Sequence, residues 1–118
     1  MRTGGCFPPR TGDEPRAPAV AALAMIIVAG ALYVDPVERD SYLQECLPVI
    51  IAARATQGCA DFHLAADPLE PDRINVFEQW DSAEAVERFR GSGRTEEQAA
   101  VIRDARVFQH EVASTVAL

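Results

Sequence analysis

The sequence predicts an α+β domain with an antiparallel sheet, its elements following in the order strand, helix, strand, strand, helix, strand. That is the split βαβ pattern called ferredoxin-like. Three observations predict it. Residues 59–66 (CADFHLAA) and 73–80 (RINVFEQW) both read as strands, with only an acidic turn containing two prolines between them. Helix-start signals at Asp35-Pro36 and at Asp81 each follow a run with strand character. A further strand-like run, ARVFQHEVASTV, closes the chain at 105–116.

The first strand spans 25–34 (MIIVAGALYV) and stops at Asp35-Pro36. Asp35, Pro36 and Glu38 supply an N-cap, a proline at the first helical position and an acid in the first turn. Apolar Leu43, Cys46, Leu47, Ile50 and Ala53 recur at helical spacing, so a helix over 36–56 turns that face inward. Pro48 should bend it. Gly58 ends the helix with a residue that tolerates positive φ. In the strand 73–80, alternation puts Ile74, Val76, Glu78 and Trp80 on one face and Asn75, Phe77 and Gln79 on the other. Both faces carry bulky residues, and the helices suffice for one, so the second face is expected to meet another subunit. Asp81 with Glu84 caps a helix to about Arg90, Gly91-Ser92-Gly93 breaks it, and Thr95 with Gln98 opens a short helix to about Arg103.

Composition sets the bounds. With 118 residues, 48% of them hydrophobic and 25% charged, the chain makes one ordinary domain. Residues 1–24 are rich in Pro, Gly, Arg and Ala and read as a disordered extension ahead of the domain at 25–118; Met25 is a candidate natural start. A small domain buries a modest share of its surface and benefits from a stabilising device. Cys6, Cys46 and Cys59 are odd in number and lack metal-ligand spacing, so neither a disulfide framework nor a metal site is expected; a subunit partner remains. The net charge is −7, with the extension at +1, and there is no lysine, so a nucleic-acid partner is not expected.

Ala17 to Val34 is an uncharged run following Arg16, and Ala29-Gly30-Ala31 resembles a signal-peptidase site. Against export stand Asp13 and Glu14 before the run, its alanine content, and the strand that its second half already forms. A membrane span wants about 20 strongly apolar residues, so no membrane partner is expected and the location is taken as cytoplasmic. Gly91-Ser92-Gly93 lacks the lysine of a phosphate loop and is a helix stop.

Four stretches carry a resemblance: MIIVAGALYVDP at 25–36, ARATQGCADF at 53–62, ADPLEPDRINVFEQW at 66–80 and DSAEAVERFRGSG at 81–93. Together they resemble the antibiotic biosynthesis monooxygenase domain of the dimeric α+β barrel superfamily, and in particular small proteins described as candidate quinol monooxygenases. The resemblance implies a homodimer whose sheets pack face to face. It also implies oxygenation of electron-rich phenols or hydroquinones by O₂ without metal or flavin, so no cofactor is expected. A deprotonated polyphenol is itself an electron donor, and the protein mainly desolvates and positions it.

Such chemistry asks for an aromatic-lined apolar pocket and a base. Trp80 matches the Trp of the family's Glu-x-Trp, which implies a pocket-lining role; its alternative is a core aromatic fixing the helix 82–90 to the sheet. Glu78, of the same motif, reads either as a substrate contact or, more simply, as the ion-pair partner of a nearby arginine. Val76, Phe89 and Tyr33 complete the candidate substrate contacts. His63 and His110 are the only histidines and the candidate bases, since imidazole titrates near neutral pH.

The chain also departs from the family. Polyketide-tailoring members carry Asn and Tyr where this chain has Val76 and Val86, and Asn75 is one residue off, which turns it to the other face. Haem-degrading members carry Asn and His where it has Gly30-Ala31 and Phe89-Arg90. Two functions therefore follow: a cofactor-independent monooxygenase of a small phenol, hydroquinone or polyketide-like aromatic, or a non-catalytic barrel that binds a small hydrophobic ligand or assists a neighbouring enzyme.

Overall fold

A computed structural model describes residues 24–91 and 99–118. Strand β1 (Ile26–Tyr33) leads through a 3₁₀ turn (Pro36–Glu38) into helices α1 (Arg39–Glu45) and α2 (Leu47–Arg54). Strands β2 (Cys59–Ala66) and β3 (Arg73–Trp80), helix α3 (Ala83–Arg90) and strand β4 (Asp104–Glu111) follow. The sheet order is β2-β3-β1-β4 with every pairing antiparallel, so the α+β, ferredoxin-like expectation holds. The expected extension lies outside the described residues except for Ala24, and so does the start of the short helix expected at Thr95.

Strands β2 and β3 fall where their alternation puts them, and β3 alternates residue by residue between buried and half-buried. Ile74, Val76, Glu78 and Trp80 face the helices. Register extends that face to Val28 and Leu32 of β1, Phe62 and Leu64 of β2, and Val107 of β4. β4 is shorter than expected, ending at Glu111 rather than 116.

The single helix expected over 36–56 is two. Pro48 has no N–H to bond back to Gln44, so the ladder breaks at Cys46, where the chain closes α1 and starts α2. The break moves the inward face to Tyr42, Cys46 and Ala53, all buried, with Val49 half-buried between them, and leaves Leu47 exposed. Asp35 caps as expected, its carboxylate accepting from Val37 N at 3.1 Å. At α3 the cap is Ser82 rather than Asp81: its hydroxyl accepts from Ala85 N at 3.2 Å. Gly58 has φ +97°, and a Cβ there would stand 2.7 Å from that of Ala85, so glycine permits both the turn and the close docking of α3.

An acidic turn between β2 and β3 is held from several directions. Asp67 accepts from the backbone of Leu69 and Glu70 and from the Asn75 amide, each at 2.9 Å. Arg39 Nη1 reaches from α1 to the carbonyls of Asp67, Glu70 and Arg73 at 3.3, 2.9 and 3.2 Å. The bonds that the Asp67 carboxylate accepts from Glu70 N–H, the Asn75 amide and Leu69 N–H pull its pKa down to about 2, the Glu70 N–H contributing most.

Candidate functional site

The core between sheet and helices is built from two clusters. One gathers Ile26, Val28, Ala53, Phe62, Trp80, Ala85, Val86 and Phe89; the other gathers Leu32, Val34, Tyr42, Cys46, Ile74 and Val76. Between them lies a cavity of about 370 Å³. Val28, Phe62 and Phe89 wall it from the first cluster, and Leu32, Tyr42, Cys46 and Val76 from the second. Leu64 and Val107 pack against both. The exposed lining residues Arg90, Ala105, Phe108 and Gln109 mark a mouth along the edge strand β4.

A glycine of β1 sits beside this space. Strand parity sets Gly30 between Val28 and Leu32 on the inner face, and its cross-strand partners Val76 and Val107 both line the cavity. The strand also twists there, with Gly30 at φ +153°, and a Cβ would run into the Arg106 carbonyl oxygen.

The polar part of the wall is Glu78, the one buried charged residue among those described, 3% exposed. Its carboxylate accepts from Trp80 Nε1 at 3.0 Å onto Oε1 and from Arg90 Nη2 at 3.0 and 3.1 Å onto Oε1 and Oε2. These bonds offset the cost of burying the charge. Arg90 sits in the last turn of α3, where the helix dipole favours a cation. An arginine partner for Glu78 is thus present, twelve residues along the chain.

The candidate residues divide by strand face. Val76, Glu78 and Phe89 line the cavity. Trp80 is fully buried one layer behind it, its ring 5.4 Å from Phe89 and 6.5 Å from Phe62, which line the cavity in its place. Its place at the strand–helix handover binds α3 to the sheet and orients Glu78.

Tyr33, His63 and His110 stand on the opposite sheet face. His63 pairs with Phe77 and stacks on it at 5.4 Å, while His110 pairs with Ile27. Both histidines are exposed, and neither lines the cavity, because parity turns both away. Burial pushes the Cys59 thiol up, away from its nucleophilic form.

Among the described residues no His, Cys, Asp and Glu side chains cluster as metal ligands, and no helix is long and apolar enough to cross a membrane. Sequence reading missed Phe62 and Arg90 as parts of the wall. The pairing of Phe62 with Glu78 across β2 and β3 was the available signal for the first.

Comparison with solved structures returns the same fold. The Rv0793 protein of Mycobacterium tuberculosis superposes with a TM-score of 0.67 at 19% identity, covering 80% of this chain and 100% of that one. A conserved protein from Methanosarcina mazei Go1 gives 0.67 at 14% identity, over 79% and 97% of the two chains. A candidate antibiotic biosynthesis monooxygenase from Caulobacter crescentus CB15 gives 0.64 at 17%, over 84% and 99%. No curated protein matches the sequence significantly. The sequence profile of one family matches residues 25–103, from β1 to the residue before β4, and the chain belongs to that family, antibiotic biosynthesis monooxygenase.

Proposed function

We propose that the chain is a cofactor-independent monooxygenase that oxidises a small phenol, hydroquinone or polyketide-like aromatic with O₂ inside this cavity. The observation that carries the reading is the cavity itself: about 370 Å³, walled by two phenylalanines and aliphatic side chains, with one buried carboxylate. That volume lies at the small end of the roughly 300–1,000 Å³ range of small-molecule pockets, which suits one or two fused rings. Apolar walls strip water from a bound phenolate and hold it still, the two services that such a self-oxidising substrate needs. A hydroquinone supplies all the electrons: one oxygen atom enters a ring carbon, the other leaves as water, and the product is a hydroxyquinone. His63 and His110 face away from the cavity, so proton removal there falls to the substrate's own ionisation or to Glu78 rather than to an imidazole.

The second reading is a non-catalytic barrel that binds a small hydrophobic ligand. It is favoured by the absence, among the described residues, of an imidazole from the cavity wall. Oxygen uptake by metal-stripped protein, offered a panel of hydroquinones and anthrones, tests the two. Saturable uptake above the autoxidation rate is expected of the monooxygenase. Ligand binding without added uptake would leave the binding barrel.

A further inference from the structure

The acceptor count of Glu78 carries an inference about what the cavity recognises. A carboxylate offers about four lone-pair sites. Oε1 receives Trp80 Nε1 and Arg90 Nη2, and Oε2 receives Arg90 Nη2 alone. One site on Oε2 is thus unspent among the described residues. Glu78 is 3% exposed and is one of the residues lining the cavity, so a molecule held there is the partner within its reach. Trp80 and Arg90 fix the carboxylate's orientation, and a carboxylate accepts and does not donate.

We propose that Glu78 receives a hydroxyl of the bound aromatic, so that the site selects phenols and hydroquinones over the matching ethers and quinones. This deepens the functional reading above and rests on its assignment of the cavity as the ligand site. A hydroxyl donates into the unspent site while its ring lies against the wall that Phe62 and Phe89 form together, their rings 5.5 Å apart edge to face. An ether has no proton to give, and a quinone carbonyl sets its own lone pairs against the carboxylate. Discrimination by a buried polar group against an analogue that leaves it unpaired is steep. For an oxidation of hydroquinones the consequence is local: the hydroxyl that becomes a carbonyl no longer donates to Glu78.

The test is calorimetric titration of the full chain with 1-naphthol, 1-methoxynaphthalene and naphthalene. Burial of apolar surface alone ranks the naphthol last, because it is the best hydrated of the three. Glu78 reverses that order, and 1-naphthol is expected to bind at least about tenfold more tightly than either analogue. In Glu78→Gln the amide oxygen still accepts from Trp80 and Arg90, while the amide nitrogen presents donors where the acceptor was. The preference should fall within about threefold, with naphthalene affinity little changed. Arg90→Lys keeps a cation beside the carboxylate and should retain the preference, which gives a second variant should Glu78→Gln fail to fold. Equal or inverted affinities in the unaltered protein overturn the proposal, as does a tenfold preference that survives Glu78→Gln. Binding of none of the three overturns it together with the cavity reading. A clear naphthol preference without oxygen uptake leaves it standing and overturns the monooxygenase alone.

Discussion

Replacing Trp80 with Phe probes the link between core and site. The indole is fully buried, packs on Phe62 and Phe89, and donates to Glu78 at 3.0 Å. Phenylalanine is smaller by roughly 40 Å³, which at about 24 cal/mol per Å³ of residual cavity costs about 1 kcal/mol. Loss of the N–H leaves a buried carboxylate with Arg90 alone, a further cost of about 1–2 kcal/mol. The expected loss is therefore about 2–3 kcal/mol, or about 10–20 °C in Tm for a domain of this size. The sole tryptophan disappears in the variant, so unfolding must be followed by far-UV circular dichroism, in urea at one fixed protein concentration. A loss under about 1 kcal/mol would refute the reasoning, since it would mean that neither the filled volume nor the indole bond contributes as described. The cycle of Trp80→Phe with Glu78→Leu, which removes the acceptor, then isolates the bond from the volume.

Other outcomes follow from the same geometry. The Asp67 carboxyl is held down at about 2 against an ordinary 3.8, so it contributes stability that is full above 3.8 and is lost as pH falls towards 2. In Asp67→Asn that part of the acid limb should flatten, as read from urea melts at stepped pH; an unchanged limb would show the turn bonds to be idle. Gly30→Ala forces a Cβ onto the Arg106 carbonyl at positive φ and should destabilise by about 1–3 kcal/mol, with hydrogen exchange rising first along β1 and β4. We also propose that a second copy covers the sheet face bearing Ile27, Ala29 and Phe77, beside an exposed Phe108. Light scattering at micromolar concentration should then give a dimer mass, and a monomer mass would sink the proposal.

Much of this molecule was legible in its sequence because local signals agreed. The alternation of RINVFEQW fixed which residues of β3 turn inward, and Asp35-Pro36 marked a helix start that the structure keeps. Gly58 marked a turn of positive φ, although the helix before it already stops at Arg54 with Ala55 as its C-cap. The site was less legible, because it depends on pairings between elements. Parity along one strand gives two faces without saying which is covered, so His63 and His110 read equally well as inward or outward. Only their partners, Phe77 and Ile27, decide it. The apolar period of 36–56 misled by one position at Leu47, since the break at Pro48 rotates α2 relative to α1. The cavity left no mark in any single element, for it is a gap between two clusters that each look complete.

That gap has a mechanical consequence. Leu64 and Val107, both half-buried, are the apolar side chains that pack against both clusters, so the halves of the core are thinly joined. A ring seated between Phe62 and Val76 would touch both at once and act as the missing keystone. Occupancy should raise the protection of α1 and α3 together, though the two helices belong to different clusters. The ligand-free domain should open in two steps and the filled one in a single step, which makes unfolding cooperativity itself a measure of whether the cavity is occupied.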